Sequence, residues 1–133
     1  MRRESMHMKS ISLLFVTIAL SFSLYSQGKQ GTEMTITGEV VDLQCYITGL
    51  TGPGKGASHK DCAISCAKGG IPLGILQDKS NTLYLAGQSK VAMKGANEML
   101  LPFVAEKVKA TGRVFEKGGL KFLLIKKVTK VSE

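Results

Sequence analysis

Tryptophan is missing from this chain, proline occurs three times, and beyond residue 28 arginine occurs once, at Arg113. Nucleic-acid readers favour arginine forks and stacking aromatics, so a chain this poor in both is not built to bind nucleic acid. Two motifs are also missing. There is no C-x-x-C, the spacing that best lowers a thiol pKa, and no G-x-S-x-G, the turn that presents a catalytic serine. Only one histidine, His59, follows the first 28 residues. No nucleophile–base–acid arrangement is legible in the order of residues, and a binding role fits better than an enzymatic one.

A long apolar run is missing as well. Arg2, Arg3 and Lys9 precede Ile11–Leu24, an apolar stretch softened by serine and threonine. A membrane-spanning helix needs roughly 20 apolar residues, and this run stops short of that. A basic start, a short apolar centre and a small polar exit are the parts of a secretory signal. Residues 1–28 are therefore expected to be a signal peptide, cleaved after Ser26 or Gly28, with Met8 an alternative start. Residues 29–133 are expected to be a single exported domain, periplasmic or extracellular, with no stable membrane insertion after cleavage. No cysteine directly follows the apolar run to carry a lipid anchor.

Residues 1–28 hold three of the 18 basic and one of the ten acidic residues, so the remainder carries a net charge of +6. Its lysines are scattered rather than blocked, which reads as a weakly basic, soluble surface. The expected partner is an envelope protein or a small ligand, of a kind that charge alone does not name.

The segments alternate between strand and turn signals. Met34, Ile36, Gly38 and Val40 share one face of a strand over 34–43. Residues 44–57, with four glycines and Pro53, read as a loop. Ser58 and Asp61 resemble a capping box that opens a helix running to about Lys68, where Gly69-Gly70 stops it. Two short strands follow, 71–77 and 82–86, around a turn at 78–81. A second helix is expected near 90–101, with Val91, Ala92, Ala96, Met99 and Leu100 on one side and Pro102 ending it. A hairpin of 107–115 and 120–128 closes the chain.

Thr37-Gly-Glu-Val-Val-Asp42 and Thr111-Gly-Arg-Val-Phe-Glu116 match in pattern. A glycine inside a strand weakens a flat sheet but permits sharp coiling in a small barrel. The expected fold class is mainly β with small α insertions. It is a five-stranded OB-like barrel, with a Cys-bearing helix inserted between strands 1 and 2 and a second helix between strands 3 and 4.

The chemical lead is the three cysteines. Cys45 follows the first strand, and His59, Cys62 and Cys66 stand at i, i+3 and i+7 of the expected helix, within about a 60° arc. If that stripe lies over the strand end, three sulfurs and one imidazole converge on a soft-ligand site for one zinc or copper ion. The spacing is not that of a zinc finger. Two alternatives stand beside it: a disulfide, from Cys45 to Cys62 or Cys66 or between Cys62 and Cys66, that staples an interaction module, and a thiol redox protein. Asp42 and Asp61 flank the cysteine region and are candidate hydrogen-bond partners for His59. Taken alone, His59 reads as an exposed first-turn residue, Asp61 as serving the helix N-terminus and Asp42 as a solvated strand end. Gly49-Leu-Thr-Gly-Pro-Gly54-Lys55-Gly56 imitates a phosphate-binding loop, but Gly56 stands where Ser or Thr must hold magnesium. A flexible glycine loop, able to lie as a lid over the cysteines, is the better reading.

Thr37–Asp42, Cys45-Tyr46, His59, Cys62, Cys66, Gly70-Ile-Pro-Leu-Gly74 and the glycine-containing final hairpin together resemble a group of small exported bacterial proteins with a Cys-Tyr…His…Cys…Cys signature on an OB-like domain. The resemblance covers nearly all of residues 29–133. It implies fold and compartment and assigns Cys45, His59, Cys62 and Cys66 to one site, without supplying an activity.

Overall fold

Strand β1 (Thr32–Asp42) is long enough to serve two neighbours in turn. Thr32–Glu39 pairs antiparallel with β4 (Lys107–Lys117), and Gly38–Asp42 pairs antiparallel with β2 (Leu73–Gln77). Gly38 and Glu39 are paired with both neighbouring strands. β2 continues antiparallel into β3 (Leu83–Gln88), β3 runs parallel to β5 (Leu120–Lys130), and β5 returns antiparallel to β4. The circuit β1-β2-β3-β5-β4 closes on itself, as expected for an OB-like barrel. The computed structural model describes residues 31–88 and 95–132. The expected leader at 1–28 and the first part of the helix expected near 90–101 lie outside these residues. The compact unit is Gly31–Glu133. Among the described residues, no helix is long and apolar enough to cross a membrane.

Closure depends on two glycines from the matched Thr-Gly strings. A Cβ on Gly38 would lie 2.2 Å from the Leu76 carbonyl oxygen, and one on Gly112 would lie 2.1 Å from the Leu124 carbonyl oxygen. Gly112 also sits where the β4–β5 register shifts, between Thr111 and Gly112. The strands coil so closely there that only hydrogen fits.

Alternation places Ile36, Val40, Ile75, Val108, Leu123 and Ile125 in the barrel interior, all fully buried. The buried face of β1 begins at Ile36; Met34, expected on it, is 37% exposed at the open end of the strand. Between β3 and β4 the described helix is a single turn, α3 (Asn97–Leu100), continued by a 3₁₀ turn, Leu101–Phe103. Leu100 and Val104 plug that end of the core.

The connection from β1 to β2 departs from expectation. Residues 44–57 are not all loop: Leu43–Thr48 forms a short helix, α1. Asp42 caps it, its Oδ1 accepting from the Cys45 N–H at 2.8 Å, and Gly49 ends it in the left-handed region at φ 64°. The helix expected at 58–68 begins as a 3₁₀ turn (Ala57–His59) and becomes α-helical over α2 (Lys60–Lys68). His59 occupies its N-cap without a side-chain capping bond, so the Ser58–Asp61 box does not form. Gly69 and Gly70 stop α2 as expected, with Gly70 at φ 99°.

Candidate metal centre

Two elements carry the sulfurs. Cys45 lies in the first turn of α1 and is 4% exposed; Cys62 and Cys66 lie on α2 and are half-buried. Ala63 and Ala67 turn the α2 face beside the cysteines onto the barrel. One residue back in each turn, Cys62 and Cys66 therefore stand at the border of that contact. The far end of α2 is tied down by Asn97. Its amide donates to the carbonyls of Ala67 at 3.1 Å and Ile71 at 2.7 Å, and its oxygen accepts from the Leu73 N–H at 2.9 Å. The start of α2 is tied by Lys60, which bonds Glu106 at 2.9 Å; Lys130 bonds the same carboxylate.

This framework brings the three sulfurs within 4.8 Å of one another, with Cys45 Sγ 3.9 Å from Cys66 Sγ. All three are free thiols. The expected meeting of two chain segments over the end of β1 is present.

His59 is also buried, at 6% exposure, but it joins a different set. Its Nε2 lies 3.0 Å from Asp42 Oδ2, and His59, Asp42 and Cys45 form a second group within 4.8 Å. The two groups share Cys45 alone. The 60° stripe assumed α-helical phase from residue 59 onward. His59 instead ends a 3₁₀ turn, and its ring is held by Asp42 rather than by the Cys62–Cys66 pair. His59 is thus not an exposed first-turn residue.

For Asp42 the alternative reading holds, as a partner of His59, and the preferred one does not. It is not a solvated strand end: it is fully buried, and both carboxylate oxygens are used, by the Cys45 N–H and by His59 Nε2. Its one sequence signal was position, an acid directly before a short apolar stretch that a helix could begin. Since a carboxylate accepts, Nε2 carries the proton of that bond.

The 49–56 loop is packed rather than free. Gly54, at φ 62°, lies so close to α1 that a Cβ would meet the Tyr46 Cα at 2.4 Å. Gly56 donates its N–H to the Glu39 carboxylate. Thr51 bonds the Cys45 side chain, so the loop does cover that cysteine.

The Thr51 bond pulls the Cys45 thiol down. Burial, helped by Asp42 and Cys66, outweighs it and pushes the thiol up to about 11. Burial likewise pushes Cys66 up, partly offset by Cys45. Cys45, His59 and Asp42 have the composition of a nucleophile–base–acid triad, which the sequence order hid. A thiol this buried and this reluctant to ionise is poorly suited to attack a substrate. A metal ion reverses that preference, because it binds thiolates and displaces their protons.

No protein family, curated protein or solved structure matches this chain.

Proposed function

We propose that this is an exported protein that binds one soft transition metal ion, zinc or copper, through Cys45, Cys62 and Cys66, with His59 a further donor beside Cys45. The observation that carries the reading is the convergence of three free thiols from two helices within 4.8 Å. Cys45 and Cys66 Sγ lie 3.9 Å apart and no sulfur pair exceeds 4.8 Å; triangles with edges of those two lengths have centres roughly 2.3 and 2.8 Å from each corner, against a metal–thiolate bond of about 2.3 Å. Export is supported by the basic start and short apolar run of residues 1–28. The expected partners are an envelope protein or small ligand that delivers or receives the ion.

A second reading is favoured by the same 3.9 Å contact. A Cys45–Cys66 disulfide, stapling α1 to α2, needs the sulfurs to close to about 2.05 Å, and Cys62 would remain as a spare thiol.

Native mass spectrometry of protein purified without chelator, before and after reduction, separates the two. One metal ion per chain and three thiols after its removal support the metal site. A metal-free mass two hydrogens below the reduced value supports the staple.

A further inference from the structure

The two overlapping donor groups are not equivalent, and their difference bears on which ion the site takes. Resting on the metal-binding reading above, we infer that the site is a three-coordinate thiolate centre selective for monovalent copper over zinc.

The sulfur set is complete without the imidazole. Cys45, Cys62 and Cys66 lie within one 4.8 Å neighbourhood, and His59 does not share it with the α2 pair. Nor is His59 free to swing in. It stands in the 3₁₀ turn, is 6% exposed, and is held by its 3.0 Å bond to a carboxylate that is itself fully buried. Leaving would strand Asp42 Oδ2 with no partner in the interior, which is costly for a carboxylate. Asp42 likewise does not share that neighbourhood with the α2 pair, and its two oxygens are held by His59 and the α1 backbone.

Structural zinc sites are almost always tetrahedral and closed by four protein donors. Three thiolates leave zinc one donor short. Monovalent copper has a filled d shell, prefers soft sulfur and is satisfied by three thiolates. Binding is a ligand exchange: the thiols lose their protons to solvent, three copper–sulfur bonds form, and copper stays monovalent throughout. His59 then acts as a positioning residue, since Asp42 ties it to the turn that presents Cys45.

The test uses the reduced full chain under anaerobic conditions. It is titrated with copper(I) held by a chromogenic copper(I) chelator and, separately, with zinc held by a chromogenic zinc chelator. The expected result is one copper(I) per chain, retained against a chelator that strips zinc. Copper X-ray absorption of the unmodified protein is expected to show three sulfur neighbours and no imidazole scattering. Cys66→Ser should weaken copper(I) by at least about 100-fold and His59→Gln by about tenfold, the range for a residue acting through another. Imidazole scattering in the absorption spectrum, a His59→Gln loss equal to that of Cys66→Ser, or tighter retention of zinc than of copper(I) each overturns the three-sulfur assignment while leaving metal binding intact. Binding of neither ion overturns the metal reading itself.

Discussion

Asp42 accepts a hydrogen bond from His59 Nε2 at 3.0 Å, joining the end of β1 to the turn that starts α2. Its other oxygen caps α1 through the Cys45 N–H. One carboxylate thus fixes both helices that carry sulfur. Asp42→Ala is expected to cost about 3 kcal/mol, a lost cap plus a charge-assisted bond, measured by urea unfolding of the reduced protein. Asp42→Asn keeps the cap oxygen and should cost about a third as much. Equal losses in the two variants would refute the bracing role.

The barrel's closing glycines make a sharper test. Gly38→Ala and Gly112→Ala each push a methyl carbon into a carbonyl oxygen of the next strand, within about 2.2 Å. Each should destabilise by about 1–3 kcal/mol or more, because strand backbone cannot step aside as a flexible side chain does. A Cβ on Gly95 meets nothing within 4 Å, and Gly95→Ala should fall within about 0.5 kcal/mol of the parent. Thermal melts of the three variants decide it.

Asn97 is the polar staple under the C-terminal end of α2. Asn97→Ala removes three hydrogen bonds to or from backbone and should cost about 2–3 kcal/mol. Hydrogen exchange should show faster opening at Gly70 and Ile71, whose N–H groups bond Ala67 and Cys66 carbonyls, than at the β4–β5 ladder. Unchanged exchange in that turn would remove Asn97 from the account.

Glu106 sets the behaviour in acid. Lys130, then Lys60, hold its carboxyl down to about 2, against an ordinary value of 4.5. A lowered pKa contributes stability that is present above pH 4.5 and is lost as the pH falls through about 2. Glu106→Gln should therefore flatten the stability curve between those values and leave it unchanged in shape at neutral pH. The effect should shrink in high salt, since the cluster is solvent-accessible.

The thiols give a second pH reading, at the alkaline end. In reduced, metal-free protein Cys45 should alkylate far more slowly than half-buried Cys62 at pH 8, and all three should label alike in denaturant. The Cys45 thiol is raised from 9.0 to about 11, so its contribution to stability is full below pH 9.0 and disappears as the pH rises through about 11. A metal-free protein whose stability holds constant across that window would contradict the buried, neutral thiol.

Much of the barrel was legible because its determinants are local. Alternation in β1, β4 and β5, the Gly69-Gly70 stop and the paired Thr-Gly strings need only neighbouring residues to be interpreted. The convergence of Cys45 with Cys62 and Cys66 was also within reach, since helical period and chain order place them near each other. His59 and Asp42 were not. Whether residue 59 begins an α-helix or ends a 3₁₀ turn depends on how the 49–56 loop packs on α1, and that is settled by tertiary contacts such as Gly54 against Tyr46. Asp42 looked solvated because acids usually are. Its burial becomes affordable only once the Cys45 N–H and the imidazole are both in place, a condition spanning residues 42–59 that no local pattern encodes.

Every sulfur arises from the excursion between β1 and β2, and the inter-strand ladder donates none. If the proposed ion is bound there, its loss is expected to leave the inter-strand ladders of the closed sheet in place, unlike a zinc finger, which unravels when its ion departs. The barrel behaves as a rigid socket whose fitting is carried on one connection. On the proposed metal-binding reading, loading calls for shifts of α1 and α2 alone, with the closed sheet as their support.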